Sequence, residues 1–323
     1  MMFVIFCPDY RTGGPFALLQ LNQALLDLGF NSKVLFYDKA EIRFDSASRR
    51  YDVIYSQPIN IEVPFARYET CTCFDEDAVL VFPEILLGWA RRFHAYGHRR
   101  KVYWWLSWDN APLGELNKFE QKLALLSCFH IFQSEYARRQ ASALGFRGPI
   151  VSDWTLPQEH VHGDEGFEKT NDICFLPAKA QGTERVIAAL EQEFSVIPIR
   201  DMTRFEVSQV LRKSLVFLDF GHQPGKDRLP REAVLHDCIP VLRKTGAAVS
   251  FMDFPIPENL KIGIRTMASS QDLRELIRLI HSRHQDVLVS LQPFKEAIRH
   301  EKTVFYEQVR SLCHVLATDP WTA

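Results

Sequence analysis

The sequence predicts an α/β protein with two Rossmann-like domains and further helices at the C-terminal end. Short apolar segments alternate with longer helical ones along most of the chain, as in parallel sheets covered by helices. The length of 323 residues corresponds to about two domains. The alternation lapses once, in a polar, turn-rich segment between Trp154 and Asn171 that is typical of a linker.

The predicted first domain covers residues 1–156. Its opening segment, Phe3 to Phe6, is too short for a signal peptide and runs directly into Pro8, so we expect a first strand. The predicted strands of one parallel sheet are short apolar segments at 3–6, 33–37, 52–55, 79–82, 102–106 and 129–133. The helices predicted around them cover 15–28, 84–95, 113–126 and 135–144.

The predicted second domain covers residues 157–323 and repeats the alternation. Its predicted strands are 173–176, 196–199, 215–218 and 239–242. Its predicted helices are 183–193, 204–213 and 231–236, and helices at 271–283 and 294–316 end the chain. The pattern is that of a second parallel sheet.

The composition restricts the class of protein. A formal net charge of −2 lacks the basic excess of a general nucleic-acid binder, so any anion site must be local. The 7 cysteines show no paired CxxC spacing, which argues against a disulfide framework or a zinc site. No segment reaches the roughly eighteen apolar residues of a membrane span. We expect a cytoplasmic protein with reduced thiols, able to touch the inner face of the membrane.

The segment from Leu218 to Ala233 carries the strongest functional signal, because glycines, charges and a helix start lie directly behind a buried strand. Ligands of open parallel sheets bind beyond the carboxyl ends of the strands, where a helix N-terminus offers N–H groups to an anion. The segment predicts a nucleotide and phosphate site; a solvated loop with self-paired charges is the alternative. The candidate binding residues are Gly221, His222, Gly225, Lys226, Asp227, Arg228, Arg231 and Glu232.

Two further loops follow strands in the same way. Gly13 and Gly14 lie between the first strand and its helix, where glycine lets the backbone approach a ligand. Lys179 and Gly182 follow the first strand of the second domain, and Lys179 is a candidate phosphate cation. A packing turn and a solvated lysine are the alternatives. The early glycines do not form GxGxxG, which disfavours a nicotinamide cofactor.

The aromatic end of a strand in the first domain offers candidates for an acceptor site. Tryptophan faces stack on sugar rings and bases, so Trp105 and Trp108 are candidate acceptor-binding residues. Asp109 is the candidate general base. Core aromatics followed by a turn or helix cap are the alternative.

Two other patterns have ordinary interpretations. The carboxylates of Asp75 to Asp77 are more typical of a polar loop than of a metal site, and we predict no metal. The basic segment from Arg91 to Lys101 fits a solvated helix end better than a membrane contact.

The motifs in this two-domain layout resemble those of the GT-B glycosyltransferases. Gly13-Gly14 resembles the family's N-terminal glycine loop, and Ser134 opens a segment similar to a helix start that closes many of the first domains. Lys179 with Gly182 resembles the K-G loop that holds the donor diphosphate.

The most specific resemblance lies in the second domain. Glu232 to Val241 resembles the segment E-A-x-A-x-G-x-P-V, whose glutamate holds the donor ribose. Asp219 to Ala233 is similar to the D-F-G-x-x-P-G-K-D-R-x-P-R-E-A signature of a bacterial, GT4-like subgroup, with Asp253 to Pro257 as its downstream companion.

The resemblance implies two Rossmann-like domains facing across a cleft, the GT-B fold. It implies transfer of a sugar from a nucleotide-sugar donor to a hydroxyl of a glycan or lipid-linked acceptor, in bacterial surface polysaccharide assembly. The donor is a co-substrate, and neither a cofactor nor a metal is expected. The implied roles are diphosphate neutralisation by Lys179, Lys226, Arg228 and Arg231, ribose binding by Glu232, a donor-facing turn at Gly13-Gly14, and a base at Asp109.

Two positions depart from the family pattern. Members with an E-x7-E motif carry a first glutamate near Pro224 or Gly225, where this chain has none, so retention and inversion both stay open. Asp237 stands where the family often has glycine.

The missing glutamate supports a rival function, a non-catalytic nucleotide- or glycan-binding partner protein. An epimerase of the same fold acting on nucleotide-sugars is a second alternative. The donor, the acceptor and the oligomeric state are not determined by these residues.

Overall fold

A computed structural model describes residues 1–63, 66–117, 119–155 and 168–318. The chain divides into two compact units: unit 1 comprises residues 1–154 with 301–323, and unit 2 comprises residues 155–300. The predicted boundary after residue 156 and most of the turn-rich segment lie outside the described residues.

The strands of unit 1 are β1 (Met2–Cys7), β2 (Asn31–Phe36), β3 (Ala40–Asp45), β4 (Arg50–Tyr55), β5 (Cys73–Asp75), β6 (Val79–Pro83), β7 (Lys101–Trp105) and β8 (Phe129–Phe132). Its first helices are α1 (Gly13–Asp27), α2 (Leu87–Ala95), α3 (Phe119–Leu126) and α4 (Glu135–Ala143). The unit is built on a parallel sheet of order β2-β1-β6-β7-β8. Strands β6 and β7 are buried along their whole length, because helices cover a parallel sheet on both faces.

Strands β3, β4 and β5 form a separate antiparallel sheet. The prediction that segment 52–55 belongs to the parallel sheet is therefore wrong. The physical reason is visible in β4, where Tyr51 and Val53 are buried but their neighbours Asp52 and Ile54 are exposed. Such alternation is the pattern of a sheet that is covered on one face only.

The strands of unit 2 are β9 (Asn171–Phe175), β10 (Val196–Pro198), β11 (Ser214–Asp219), β12 (Ile239–Arg243) and β13 (Lys261–Ile262). They form a second parallel sheet, of order β10-β9-β11-β12-β13. The helices that follow are α5 (Glu184–Leu190), α6 (Arg204–Lys213), α7 (Arg228–Leu235), α8 (Ile264–Met267), α9 (Ser270–Ser282) and α10 (His284–Ala317). Because β9, β11 and β12 are neighbours, the loops that follow them lie at one edge of the sheet.

Helix α10 passes through Pro293 without a break, whereas the predicted helix began at residue 294. Its residues from Glu301 onward belong to unit 1. There the Gln308 side chain accepts a hydrogen bond from the Ser152 backbone N–H at 2.9 Å, and the Tyr306 hydroxyl donates to Asp27 at 2.6 Å. Among the described residues, no helix has both the length and the apolar content that crossing a membrane requires.

Candidate functional site

Three loops converge at the carboxyl edge of the unit 2 sheet. The loop after β9 carries Lys179, the loop after β11 carries residues 220–227, and the loop after β12 carries Gly246. Lys179 lies against the second loop through ion pairs with Asp219 and Asp227. The second loop is joined to the third by a hydrogen bond from the Ala247 N–H to the Gln223 carbonyl, at 2.8 Å. At the sheet edge that was predicted to bind a ligand, three loops are therefore held together by direct contacts.

The ammonium of Lys179 is the electrostatic centre of this group. It pairs closely with the Asp227 carboxylate and lies 3.5 Å from an Asp219 oxygen. Burial alone would lower the pKa of Lys179, but the carboxylates of Asp227 and Asp219 outweigh burial and raise the pKa, so the ammonium stays charged. Lysine has three N–H donors, of which the two carboxylates account for two. The third can reach an anion.

Asp219 organises the start of the second loop. Its side chain is almost completely buried at the end of β11. One oxygen accepts a hydrogen bond from the Gly221 N–H at 2.8 Å, and the other accepts one from the Gln223 amide at 2.7 Å. The buried carboxylate thus has hydrogen-bond partners besides Lys179, as a buried charge requires.

Position 221 requires glycine because the Lys179 side chain lies directly against its backbone. A Cβ atom at this position would lie 2.6 Å from Lys179 Cδ and 2.9 Å from Lys179 Cβ. The absence of a side chain lets the lysine stem lie directly on the loop backbone. The close packing of Lys179 therefore explains why a glycine follows strand β11 at position 221.

Arg231 closes the second loop onto α7. Its guanidinium is fully buried and donates to the Lys226 carbonyl at 2.9 Å and to the Asp227 carbonyl at 3.2 Å. Asp227 is the N-cap residue of α7, but its carboxylate turns to Lys179 instead of capping the helix. The first turn of α7 therefore has N–H groups that Asp227 does not satisfy.

The remaining predicted residues of unit 2 lie around this group. Glu232 is in α7 with its side chain mostly covered, and one oxygen lies 3.9 Å from Arg204 Nη2. His222 and Gly182 are exposed, Lys226 and Arg228 are half-buried, and Gly225 is buried. The structure thus places every predicted donor-binding residue of the second domain on the three loops or on α7, with Gly182 three residues beyond Lys179 in the loop after β9.

Gly246 lies in the third of the converging loops and was not among the residues predicted from the sequence. Its backbone has a φ of 60° and a ψ of −135°, a conformation that is essentially restricted to glycine. A Cβ there would lie 2.0 Å from the Gln223 carbonyl oxygen. Gly246 could have been identified from the sequence, because it follows a buried strand as Gly221 does.

Replacing Gly246 with alanine is expected to cost about 3 kcal/mol of stability, because backbone strain adds to a clash with backbone atoms. The hydrogen bond between the second and third loops would be lost as well. Urea unfolding measures the effect, and Gly263→Ala is the matched control, since a Cβ at Gly263 meets nothing within 4 Å. Equal midpoints for the two variants would contradict this assignment.

In unit 1, Gly13 and Gly14 form the start of α1, directly after the loop that follows β1. Thr12 is the N-cap residue and makes no side-chain capping bond. A Cβ at Gly13 would meet nothing within 4 Å, and one at Gly14 would lie 4.0 Å from Leu106 Cδ1. The turn is therefore open enough for a ligand to approach its backbone N–H groups.

Asp109 lies in a short 3₁₀ turn after β7 and is exposed. The Tyr136 hydroxyl donates to its carboxylate at 3.0 and 3.2 Å. Burial and the nearby Asp109 charge raise the pKa of Tyr136 to about 12, so the phenol keeps its proton and remains a donor. An exposed, oriented carboxylate is what a general base for a hydroxyl requires.

Unit 1 contains another acidic side chain of interest besides Asp109, namely Glu84. The sequence analysis treated Glu84 only as the first residue of a predicted helix. It follows β6 and is buried, and its carboxyl accepts a hydrogen bond from the Leu106 N–H at 3.1 Å. Burial raises the pKa of Glu84 to about 8. Glu84 thus connects the end of β6 to the end of β7, from which the Asp109 turn starts. One carboxylate inside an apolar run, Val79 to Leu87, was the signal that could have revealed it.

The two tryptophans predicted to bind an acceptor belong to the core. Trp105 is 1% exposed and Trp108 is 7% exposed. The Trp105 indole donates to His130 Nδ1 at 3.0 Å, and its ring packs against Trp108 and Phe146. Their burial disagrees with stacking on a sugar and agrees with the alternative of core aromatics. Aromatic rings at a strand end fill the interior when helices cover both faces of the sheet.

The acidic segment after β5 is accounted for by local contacts. Asp75 accepts a hydrogen bond from the Asp77 N–H at 3.2 Å, and Glu76 pairs with Arg49. Within the described parts of the chain, no three His, Cys, Asp or Glu side chains are grouped as metal ligands would be.

Sequence comparison finds no matching family model and no matching curated protein. Solved structures match over nearly the whole chain. Sucrose-phosphate synthase from Thermosynechococcus elongatus has a TM-score of 0.64 at 10% identity, covering 98% of this chain and 99% of that chain. HepE of Anabaena, in complex with UDP-glucose, has a TM-score of 0.61 at 11% identity, covering 97% and 99%. A trehalose-phosphate synthase (UDP-forming) from Burkholderia vietnamiensis has a TM-score of 0.57 at 10% identity, covering 98% of each chain.

These comparisons confirm the predicted fold class, an α/β protein with two Rossmann-like domains of the GT-B type. In this chain the fold consists of two parallel sheets and their covering helices, with a small antiparallel sheet in unit 1. At identities of 10 to 11%, the similarity defines the fold.

Proposed function

We propose that the protein is a glycosyltransferase that moves a sugar from a nucleoside-diphosphate sugar to a hydroxyl of a glycan or lipid-linked acceptor, in bacterial surface polysaccharide assembly. The observation that carries this proposal is the convergence of three loops around the Lys179 ammonium at the carboxyl edge of a parallel sheet. This is where such sheets bind nucleotides. Two proteins that share the fold are named for UDP chemistry, one solved with UDP-glucose and one UDP-forming.

The basic residues of unit 2 would stabilise the leaving diphosphate. Negative charge grows on the diphosphate as the glycosidic bond breaks, so cations already in place lower the barrier. Lys179 is held in position by its two carboxylates, and Arg231 shapes the loop that carries Lys226. Arg228 begins α7, whose N-terminus adds N–H donors. We propose that these groups supply the charge that a metal ion supplies in other enzymes, and that no cofactor is needed.

The remaining roles follow from the chemistry of each group. Glu232 would accept hydrogen bonds from the ribose hydroxyls, which suits a carboxylate beside the phosphate-binding turn. The N–H groups at Gly13 and Gly14 would bind hydroxyl or phosphate oxygens. Asp109 would take the proton of the acceptor hydroxyl as that oxygen attacks the anomeric carbon, while Tyr136 holds the carboxylate in place.

The decisive experiment is nucleotide binding followed by transfer. UDP is expected to bind to the folded protein and raise its melting temperature, which differential scanning calorimetry measures. GDP, CMP, ADP and dTDP are compared with UDP in the same assay. Glu232→Ala should weaken UDP binding by about tenfold or more, because hydrogen bonds to a charged group are lost. The exposed Glu191 provides the matched control, Glu191→Ala, which should bind UDP as the parent protein does.

Transfer is then measured with UDP-sugars and a panel of glycan and lipid-linked acceptors, with and without EDTA. Asp109→Asn should retain UDP affinity and lose about a hundredfold or more in turnover, while Asp52→Asn, at an exposed position in β4, should change neither. Activity abolished by EDTA would refute metal independence. UDP binding without release of any sugar product would favour the non-catalytic alternative, and an isomerised donor would favour the epimerase.

A further inference from the structure

Strand β3 is the outer strand of the antiparallel sheet in unit 1 and has β4 on one side. The Val53 N–H of β4 donates to the Thr72 carbonyl at 2.9 Å, on the side of β5. Ile42 is the residue of β3 that lies opposite Val53. Because the N–H and C=O of a residue in an antiparallel strand point to the same side, this pair is not hydrogen-bonded. Ile42 therefore directs both backbone groups away from β4, and so do Ala40 and Phe44.

The outward N–H and C=O groups of β3 form a sheet edge. Within the described residues, the one side chain that bonds to this edge is Arg92, which donates to the Ile42 carbonyl at 3.1 Å. A carbonyl oxygen has two lone pairs, so the Ile42 carbonyl can accept a second hydrogen bond. A row of outward backbone groups is a template for pairing with a strand of another chain.

The charged side chains along this edge alternate in sign. Lys39 lies directly before β3, and Glu41, Arg43 and Asp45 follow at every second position. The Glu41 and Arg43 side chains are 63% and 64% exposed. This order of charges is complementary to itself when two copies run antiparallel. If Ile42 lies opposite Ile42 of a second copy, each Glu41 faces Arg43 and each Asp45 faces Lys39 of the other copy.

We propose that β3 pairs antiparallel with β3 of a second copy of this chain, with Ile42 at the two-fold axis. All three outward residues are paired in this register, Ile42 with itself and Ala40 with Phe44 of the other copy. Glu41 and Arg43 occupy non-hydrogen-bonded positions, where opposite side chains come closest. Phe44 is half-buried in one copy and shares the covered face with Ile42, so it loses further exposed apolar surface in the dimer.

The other registers are less favourable. A shift of the pairing by one residue places the covered face of one copy beside the exposed face of the other. A shift by two residues places Arg43 opposite Arg43, or Glu41 opposite Glu41, and like charges directly opposite one another are destabilising. The charges therefore favour a second copy of this chain over an unrelated strand. The inference rests on β3 alone and does not depend on the proposed transfer of sugar.

Analytical ultracentrifugation over a series of protein concentrations tests the pairing. The parent protein should form dimers that dissociate on dilution. Glu41→Arg and Arg43→Glu each replace two pairs of opposite charges by two pairs of like charges, and each should weaken dimerisation by about tenfold or more. An equimolar mixture of the two single variants should form a heterodimer, because every residue at position 41 then faces an opposite charge at position 43. The double variant Glu41→Arg/Arg43→Glu should dimerise as the parent protein does for the same reason.

The matched control is Glu120→Arg, which changes the net charge as Glu41→Arg does, at an exposed position of α3. It should dimerise as the parent protein does, and the circular dichroism spectra of all variants should agree because the replaced side chains are exposed. A parent protein that stays monomeric at the highest concentration would overturn the proposal. A dimer that both single variants leave intact would overturn it as well, and a mixture of them that stays monomeric would exclude this register.

Discussion

Replacing Lys179 with alanine is expected to lower the free energy of unfolding by about 3 kcal/mol and to abolish measurable UDP binding. The ammonium lies between Asp219 and Asp227, and its removal leaves two covered carboxylates close together without their shared cation. Breaking a buried ion pair by deleting one partner is strongly destabilising, because the remaining charge is uncompensated. Asp219 keeps its hydrogen bonds from Gly221 and Gln223, so Asp227 bears most of the loss.

A second substitution separates the structural role of Lys179 from its role in binding. In Lys179→Ala/Asp227→Asn, the uncompensated charge at position 227 is gone, and we expect most of the lost stability to return. The positive charge and the third N–H donor remain absent, so UDP binding should stay at least about a hundredfold weaker than in the parent protein. Urea unfolding and calorimetry with UDP measure the two effects independently.

The control for this series is Lys213→Ala, which removes an exposed lysine at the end of α6 in the same unit. It should alter neither stability nor UDP affinity appreciably. Unchanged stability of Lys179→Ala would show that the carboxylates do not need the ammonium. Restored UDP affinity in the double variant would show that Lys179 does not touch the nucleotide, and the proposed diphosphate site would move to Lys226 and Arg228.

The sequence predicted that the candidate loops lie at one edge of a sheet, because their position follows from local patterns. A buried strand, a glycine loop and a helix start are all short-range features, and the neighbouring parallel strands bring such loops to one edge. This reasoning placed Lys179, Gly221 and Arg231 correctly on the carboxyl edge of unit 2. Gly246 satisfied the same pattern after β12 and could have been included.

The partners within the site could not be predicted in this way. Lys179 and Asp227 are 48 residues apart, and their pairing depends on the order β9-β11-β12 in the sheet. Nothing local distinguishes a lysine that is held by carboxylates from a solvated one. Likewise, the sequence of the tryptophans at the end of β7 does not indicate which of them are covered, and the three-dimensional packing decides that Trp105 is core.

Asp237 adopts a backbone conformation that glycine usually occupies. It follows α7 with a φ of 54°, in the left-handed region where the family's glycine is favoured. The Cys238 N–H bonds to the Ala233 carbonyl and the Asp237 N–H to the Val234 carbonyl, which is the Schellman arrangement that ends a helix. Asp237 also pairs with Lys295 at 2.6 Å. Aspartate tolerates this conformation better than most residues, so the helix can end here without a glycine.

The second large effect concerns Glu84 and the dependence of stability on pH. In the unfolded chain its carboxyl ionises near 4.5, whereas in the folded protein burial raises the pKa to about 8. Between these values the folded state keeps a proton that the unfolded state has lost. The free energy of unfolding should therefore fall as pH rises from about 4.5 to about 8 and level off above that. At about 1.4 kcal/mol per pH unit, the total cost is on the order of 5 kcal/mol.

Glu84→Gln should remove this dependence. Glutamine has the shape of the protonated side chain, and its carbonyl can still accept the hydrogen bond from the Leu106 N–H. The variant should resemble the parent protein near pH 5 and exceed its stability by several kcal/mol at pH 8 and above. Urea midpoints across this range provide the measurement, and Glu62→Gln, at an exposed position, is the control that should keep the parent slope.

The same variant tests whether Glu84 acts on the chemistry through the turn that carries Asp109. Ionisation of the buried carboxyl above its pKa would place a charge in the apolar interior at the end of β6, and relief of that desolvation cost would displace the end of β7 and the turn that carries Asp109. Transfer activity of the parent protein should then decline as pH rises through about 8, while Glu84→Gln stays active at higher pH. Parallel declines in both proteins would assign the pH dependence to another group and leave Glu84 with a purely structural role.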